Sequence, residues 1–579
     1  MLRTTVWHAV EQPDYGLIPS HLSHGPVPLR SDHRRLQLPP VATSIASPAL
    51  GGGTNEPATK PRRTRDTALK GSLRTVWLIG IVAVGVQFVL LMLHSWYLWD
   101  HFDLTADFGQ YSQAWQQIAT GHLNPYDTTY PWFYPHYGYP FYQGDLELIM
   151  WPLAPLYWVW PHAIDLLIVQ DVALAGSGLC VFRWSLEHLQ THAPNRRFAV
   201  AISSCVLAIV VLQPWTYWAA SYDYHSEPLA TFFTLLAGRD LWNGRRRGWI
   251  WVVFVLLCGN VATSYIAALG IAAIVSGRHR WRIGVVLVFI AVVWLGVVGL
   301  VHSGNGAALG AYAYLAHRMT VNDTLGGIFT IVTGVARHPG TAAHVLDSRW
   351  GQIYKFVGGV GTVGVFSCVG AAFSVIVLAP SALNSSPGFI SDVGGSQNIM
   401  AVMACAVGIA MLATWLTRQG QSRGPLLRVG FIAVALALSI GAVAQTAVES
   451  AHWTPLSGQT FERVDSATAS ELASVSAQIP GNAETIVSQG VVGRFAQRHN
   501  FYPYLDVFAN GQTVPLFGHV VYVVLLPNQG LESAPASGTL AAIALMRRLG
   551  ARQITDRHGV YAFEWHVPRG QTELTFPPP

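Results

Sequence analysis

From Thr75 onward the chain alternates between long apolar runs and short polar or arginine-rich breaks. A run of about 18 or more apolar residues is long enough to cross a bilayer core as a helix. The first is Thr75–Leu98. Ile164–Phe182, Phe198–Trp218, Pro228–Leu241, Trp249–Cys258, Ala262–Val275 and Gly284–Val301 follow, then Phe356–Ala379, Ile399–Leu416 and Val429–Val448. Several are short, and the glycines in Phe356–Ala379 predict that it splits into two half-spans. In hydrocarbon every backbone N–H and C=O must be bonded within the structure, so apolar runs of this kind become helices. The pattern therefore predicts an all-α polytopic membrane domain with about 10 to 12 crossings.

The pattern changes near residue 449. Glu471–Gln478 reads as a helix, Glu484–Val487 as a strand, and Val492–Arg498 as a helix. His519–Leu525 reads as a strand, Leu540–Leu549 as a helix closed by Gly550, and Gly559–Trp565 as a last strand. This alternation predicts a small α/β domain, with no Gly-rich nucleotide loop in it. At the other end, residues 1–70 are rich in Pro, Ser, Gly, His and Arg without apolar periodicity, which predicts a disordered tail.

Charge refines this picture. Only 11% of residues are charged, against about 25% in soluble domains. Arginines gather between apolar runs: Arg183 with Arg196 and Arg197, Arg239 with Arg245–Arg247, Arg278 with Arg280 and Arg282, and Arg418 with Arg423 and Arg428. Such clusters mark cytoplasmic loops rather than a nucleic-acid face. With all four inside, 1–70 is a cytoplasmic tail. Segment 71–448 is the multi-pass domain with a large first external loop at 99–163. Segment 449–579 is extracytoplasmic, provided an even number of crossings joins the loop after Val301 to the loop near Asn398. Cys180, Cys205, Cys258, Cys368 and Cys405 fall in or beside apolar runs without metal-ligand spacing, and read as buried small side chains.

Ionisable residues beside apolar runs are costly unless paired or functional. Asp107 opens a segment whose apolar residues through Trp115 and Ile118 recur at helical spacing, predicting an amphipathic helix on the membrane surface. Asp107 reads either as that helix's cap or as a chemical group. Asp103 is its neighbour, and Tyr111 and Gln113 are candidate binding side chains. The aromatic stretch Tyr126–Tyr142 fits either interfacial anchoring or stacking on sugars. Asp145 and Glu147 form a second acidic pair, before the apolar run Leu148–Trp160. The third constellation, Tyr222-Asp223-Tyr224-His225-Ser226-Glu227-Pro228, lies between two spans on the same outer side. It reads as a functional turn or as a helix start with Pro in the first turn. Gln397-Asn398, after Asn384-Ser385-Ser386, reads as an ordinary loop or a polar contact. An outer carboxylate can act as general base toward an acceptor hydroxyl attacking an anomeric carbon, and a nearby His can bind a departing phosphate. No metal cage is visible.

Four segments resemble a known family. Ala106–Trp115 is similar to an FDLG-x-YDQ-x-xW segment, Leu153-Ala154-Pro155-Leu156-Tyr157 to an LAPLY segment, and Tyr224–Ala230 to an FHPEPLA motif. Ala473–Gln478 with Gly559-Val560-Tyr561 resembles the family's external tail. The family is the predicted membrane proteins of domain of unknown function 2079, which look like relatives of the multi-pass glycosyltransferases of the GT-C fold. The resemblance covers about residues 99 to 566. It implies a polyprenyl-phosphate-sugar-dependent enzyme with Asp107 as the matching base and His225 and Glu227 as the matching second motif. The chain departs from the pattern at Ser112, Gly144-Asp145 and Gly259-Asn260-Val261, where the family carries further ionisable residues.

The resulting expectation is a GT-C-like helical membrane protein with an extracytoplasmic α/β domain. It would move a sugar from a polyprenyl-phosphate carrier to a glycan, lipid or protein acceptor of the cell envelope. Asp107, His225 and Glu227 are the catalytic candidates; Asp103, Tyr111, Gln113, Asp145, Glu147, Asp223 and Tyr224 are the binding candidates. The cofactor is unknown: a divalent cation is compatible, with no dedicated site. The alternatives are a transporter or flippase for a lipid-linked precursor and a non-catalytic membrane scaffold. A transporter should show two related halves with matching broken helices, and no internal repeat is visible.

Overall fold

The computed structural model describes residues 63–129, 139–144, 146–277, 280–301, 307–321, 325–391, 394–453, 464–505, 511–527 and 536–578. Most of the expected N-terminal tail, part of the aromatic stretch, and Asp145 lie outside them. Among the described residues, six helical stretches are long and apolar enough to cross a membrane. They lie in α1 (Arg63–Asp100), α4 (Ile164–His192), α5 (Arg196–Leu212), α9 (Trp281–Val301), α10 (Gly395–Gln421) and α11 (Pro425–Trp453), with α2 (Ala106–Ala119) and α3 (Met150–Val159) between α1 and α4. Shorter helices α6 (Glu227–Trp242), α7 (Gly248–Leu257) and α8 (Asn260–Val275) also join the bundle. Six such stretches are fewer than the 10 to 12 crossings expected; several of the other expected runs form short or broken helices.

Burial sorts these helices. The most apolar window of α10 is 83% buried, whereas those of α1, α9 and α11 are about one-fifth buried. α10 is the bundle's axis, and the other three present apolar side chains outward, as lipid contact requires. Glycine permits the closest approach to this axis. A Cβ on Gly364 would sit 2.1 Å from the carbonyl oxygen of Cys405 in α10.

Two expected spans are interrupted. Phe198–Trp218 divides at Gln213-Pro214 and resumes as Trp215–Ser221. Pro214 has no N–H to continue the ladder and disfavours helical backbone at Gln213. Phe356–Ala379 does break, but into more pieces than two half-spans. Helix Trp350–Gly358 is followed by a 3₁₀ turn at Thr362–Phe366, helix Cys368–Phe373, a π turn at Ser374–Leu378 and helix Ala379–Leu383. Gly361, at φ +71°, supplies the first break in a conformation other residues resist.

The bundle has two chemically distinct ends. At one, Arg183 stacks over Trp77 of α1 and pairs with Glu187, which also binds Arg239. Arg280 lies over Trp242, and Arg418 lines the same cavity as Arg280. The other end holds the α1 terminus, the start of α6 and the C-terminal domain. The stretch Trp350–Leu383 touches both: Phe366 and Cys368 line the arginine-end cavity, and Asn384 accepts from Arg349. It thus reaches the arginine-end cavity at Phe366–Cys368 and returns to its own start, where Asn384 meets Arg349.

The C-terminal domain packs helices α12 (Ser466–Gln478) and α13 (Ala536–Arg548) on a five-stranded sheet. Its strands are β1 (Glu484–Ser488), β2 (Phe501–Tyr504), β3 (Val520–Leu525), β4 (Arg552–Arg557) and β5 (Val560–His566), in the order β2-β1-β3-β5-β4. β1 is parallel to β2 and β3, whereas β5 is antiparallel to β3 and β4. The two strands of this sheet absent from the sequence reading are its edges. β2 contains Pro503, which an edge tolerates, and β4 is polar and largely exposed, as edges protected from self-pairing often are. The segment expected as a helix at Val492–Arg498 is a 3₁₀ turn, Gln489–Phe495.

The predicted surface helix is corrected by its burial. α2 forms where expected, but eleven of its residues, from Ala106 to Ile118, are buried. It is wedged between the bundle and the C-terminal domain. A Cβ on Gly109 would meet Phe501 at 2.9 Å, and Gly493 N–H donates to Leu104 O at 2.8 Å. Arg494 lies 3.9 Å from the Phe102 ring centroid and donates to Trp99 O. Gln397-Asn398 is likewise no loop. It is the first turn of α10, where Asn398 donates to Phe389 O at 2.7 Å.

Candidate functional site

α2 starts with a side-chain cap, and the cap is Thr105 rather than Asp107: its Oγ1 accepts from Asp107 N–H. Asp107 is thereby freed from capping. Residues four apart share a helix face, so Asp107 and Tyr111 look the same way. Gln113 falls on another face, where its Nε2 donates to His499 O at 3.0 Å and Arg498 O at 3.3 Å, and its Oε1 accepts from Thr128 N at 3.1 Å. Its amide clamps the C-terminal domain, so the binding role expected for it is not supported by its position.

The face carrying Asp107 and Tyr111 meets the turn 222–227, more than a hundred residues away. Tyr222 Oη donates to Asp107 Oδ2 at 3.1 Å. Tyr222 stacks on His225 with ring centroids 5.5 Å apart. The Tyr111 ring packs edge-on against Tyr224 at 5.1 Å and His225 at 6.0 Å. His225 Nδ1 lies 3.8 Å from Glu227 Oε2, ion-pair range but longer than a hydrogen bond. Tyr111 Oη donates to Glu147 Oε1 at 2.8 Å, which brings the third acidic segment to the same cluster.

Backbone strain and buried polar contacts hold the turn. Asp223 adopts φ +45°, uncommon for a residue with a Cβ. Its carboxylate accepts from both the N–H (2.9 Å) and the hydroxyl of Thr105, tying the turn to the start of α2. Asp223 is therefore a brace between the two loops. Gln170, in α4, donates to Asp223 O at 2.8 Å and accepts from His225 N–H at 2.7 Å. Ser226 donates to Cys258 O at 2.7 Å. Next to it, Gly259 (φ +96°) leaves room for Glu147, whose Cγ a Cβ would meet at 2.9 Å.

Electrostatics mark two carboxyls of the first loop. Burial raises Asp107 above the usual carboxylate range, with the Tyr222 hydrogen bond opposing the rise. Asp127 is pushed up to about 7, chiefly by burial, with the charge of Asp107 adding to it. Asp127 Oδ1 accepts from Thr129 N and Oγ1 at 2.7 and 2.6 Å, while Oδ2 has no hydrogen-bond partner among the described residues. A buried carboxyl near neutrality with an open oxygen suits proton exchange.

The structure thus brings together Asp107, Tyr111, Glu147, Tyr224, His225 and Glu227, with Asp223 as brace. Asp103 is buried in the α1–α2 turn, its N–H on Leu98 O. Asp145 lies outside the described residues. Sequence reasoning placed Tyr222 in the functional turn without a role of its own, and passed over Asp127 and Gln170. Asp127 sits among aromatics with no acidic neighbour. Gln170 carried a readable signal: with Asp171 it is a polar pair inside the apolar run Ile164–Phe182. Among the described residues no group of three His, Cys, Asp or Glu has metal-binding geometry.

Comparison with known proteins agrees with the membrane architecture. The family described as predicted membrane protein, DUF2079, matches residues 98–509. No curated protein matches the chain. Two solved structures are similar at low level. ArnT from Cupriavidus metallidurans bound to undecaprenyl phosphate is 12% identical, with 83% of this chain and 97% of that chain covered at a TM-score of 0.37. The apo state of ArnT from the same organism is 11% identical, with 87% and 98% covered at a TM-score of 0.35.

Proposed function

This chain belongs to the DUF2079 family of predicted membrane proteins, and we propose that its acidic end transfers a sugar from a polyprenyl-phosphate carrier to a hydroxyl of a cell-envelope glycan, lipid or protein. The observation that carries the reading is the hydrogen bond from Tyr222 to Asp107, which joins the two family-like motifs in one cluster with His225 and Glu227. The donor class rests on the motif resemblance. The outer-face location rests on the arginines at the opposite end.

The chemistry assigns each group a proton or an orientation. Asp107 accepts the acceptor hydroxyl's proton as that oxygen bonds to the anomeric carbon. The bond from that carbon to the phosphate oxygen breaks, and polyprenyl phosphate leaves. His225, oriented by Glu227 and the Tyr222 ring, donates to the departing phosphate. Burial raises the pKa of Asp107, which makes it a stronger base than an exposed carboxylate; a positioned general base contributes about 10²–10⁴ in rate. Tyr111 and Tyr224 are buried behind this cluster and hold His225 and Glu147 in place.

The test is transfer by purified full-length protein in proteoliposomes fed a radiolabelled polyprenyl-phosphate sugar, with product sugar counted. Asp107→Asn and His225→Gln should each remove most transfer while the folded protein persists. Unchanged transfer in Asp107→Asn would overturn the assignment.

A further inference from the structure

At the arginine end, away from the acidic cluster, α4, α6, α8 and α10 enclose a cavity of about 400 Å³ with Phe366–Cys368. Its polar lining includes Arg280, Arg418, His188, Ser276, Ser367 and Thr414. Arg280 is held in place by the Trp242 ring, 4.4 Å from its centroid, and His188 hydrogen-bonds Thr414 at 2.9 Å. No carboxylate lines the cavity. The nearest acids along the chain, Glu187 and Asp240, are engaged by Arg183, Arg239, Arg245 and Arg247. Among the described residues neither Arg280 nor Arg418 forms an ion pair, so the cavity carries net positive charge.

Its rim has the opposite character. Phe366 is 75% exposed, Val275 67% and Trp415 54%. In a chain that spans the membrane, exposed large apolar side chains at a helix end face acyl chains, and Trp is enriched at that depth. A soluble anion would gain nothing from such a rim. A lipid gains twice, from its phosphate on the guanidiniums and from its chains on the rim.

We infer that this cavity is a binding site for the phosphate headgroup of an anionic lipid in the leaflet at the arginine end. Arg280 and Arg418 take the phosphate oxygens, and Phe366 and Trp415 contact the chains; the Thr414 and Ser367 hydroxyls are spent on Met411 O and Gly364 O and shape the wall. The site does not depend on the enzymatic reading, since it lies at the other end of the bundle.

The test uses the full-length protein in detergent, exchanged against mixed micelles of phosphatidic acid and phosphatidylcholine, with retained lipid counted by native mass spectrometry. Phosphatidic acid should be retained several-fold over phosphatidylcholine, and Arg280→Gln/Arg418→Gln should reduce its apparent affinity at least about tenfold. Trp415→Ala should weaken phosphatidic acid without creating a preference for phosphatidylcholine. Inorganic phosphate at equal concentration should not displace the lipid. Thermal unfolding without added lipid controls for folding, and the single variants Arg280→Lys and Arg418→Lys, which keep the charge, should retain most binding. Equal retention of both lipids by the wild type, unchanged retention in the double glutamine variant, or displacement by inorganic phosphate would each overturn the assignment.

Discussion

The two ends of the bundle use carboxylates in opposite ways. At the arginine end Glu187 receives a two-pronged contact from Arg239, at 2.7 and 3.1 Å, and Asp240 a similar one from Arg247, at 2.6 and 3.0 Å. Their oxygens are saturated by permanent cations, so these acids stay ionised and hold α4, α6 and α7 in register. At the acidic end Asp107 is met by a tyrosine hydroxyl and Glu147 by another, while Glu227 faces a histidine. Neutral or titratable partners leave a carboxyl able to take up and release a proton. The difference teaches that burial of an acid is not itself a sign of chemistry; the partner decides.

The largest expected effect breaks that contrast directly. Asp107→Asn should lower the transfer rate by about 10²–10⁴, yet leave or raise the melting temperature, because a neutral amide replaces a carboxyl whose charged form burial disfavours. Asp240→Asn should do the reverse. Its carboxylate is buried, but Arg247 and Arg245 are about half exposed, so solvent screening trims the loss to about 1–3 kcal/mol. Thermal melts in detergent would report it, while transfer per folded molecule stays unchanged. If Asp240→Asn abolished transfer at full stability, the division between the ends would fail.

The sequence made one side of this contrast easier to read than the other. Hydropathy and arginine clusters locate the spans and mark one end, because both signals are local and additive. The acidic motifs 106–115 and 224–230 are legible because ionisable residues beside apolar runs stand out. What holds them together is not. Asp223 reads as a candidate ligand, yet it braces Thr105, a contact across 118 residues. Gln113 and Ser112 look like the polar face of a surface helix; an amphipathic pattern reads alike whether its cover is lipid, water or a domain 385 residues away. Asp127 gave no periodic or pairing signal at all.

That hidden cover yields the next prediction. Gln113→Ala removes the clamp to Arg498 O and His499 O and should loosen the C-terminal domain by about 1–2 kcal/mol. Limited proteolysis should then release that domain faster than from the wild type. Unchanged cleavage would mean the packing of Gly109 on Phe501 and of Arg494 on Phe102 suffices without it.

The smallest effect sharpens the acidic end most. Asp107 and Asp127 both have folded-state values above an ordinary 3.8, with Asp127 at about 7. The folded protein therefore binds these protons more tightly than the unfolded chain does. The stability that Asp127 contributes is fully present below about 3.8 and is lost as pH rises through about 7; for Asp107 the direction is the same. Activity has the opposite slope, since a general base must be deprotonated, so transfer should rise with pH while this stability falls. The two carboxyls repel one another when ionised. Asp127→Asn should therefore move the acid limb of the transfer profile to lower pH, by less than about 1 unit, with little change in the plateau rate. A limb that stays in place while the plateau collapses would make Asp127, rather than Asp107, the group that receives the proton.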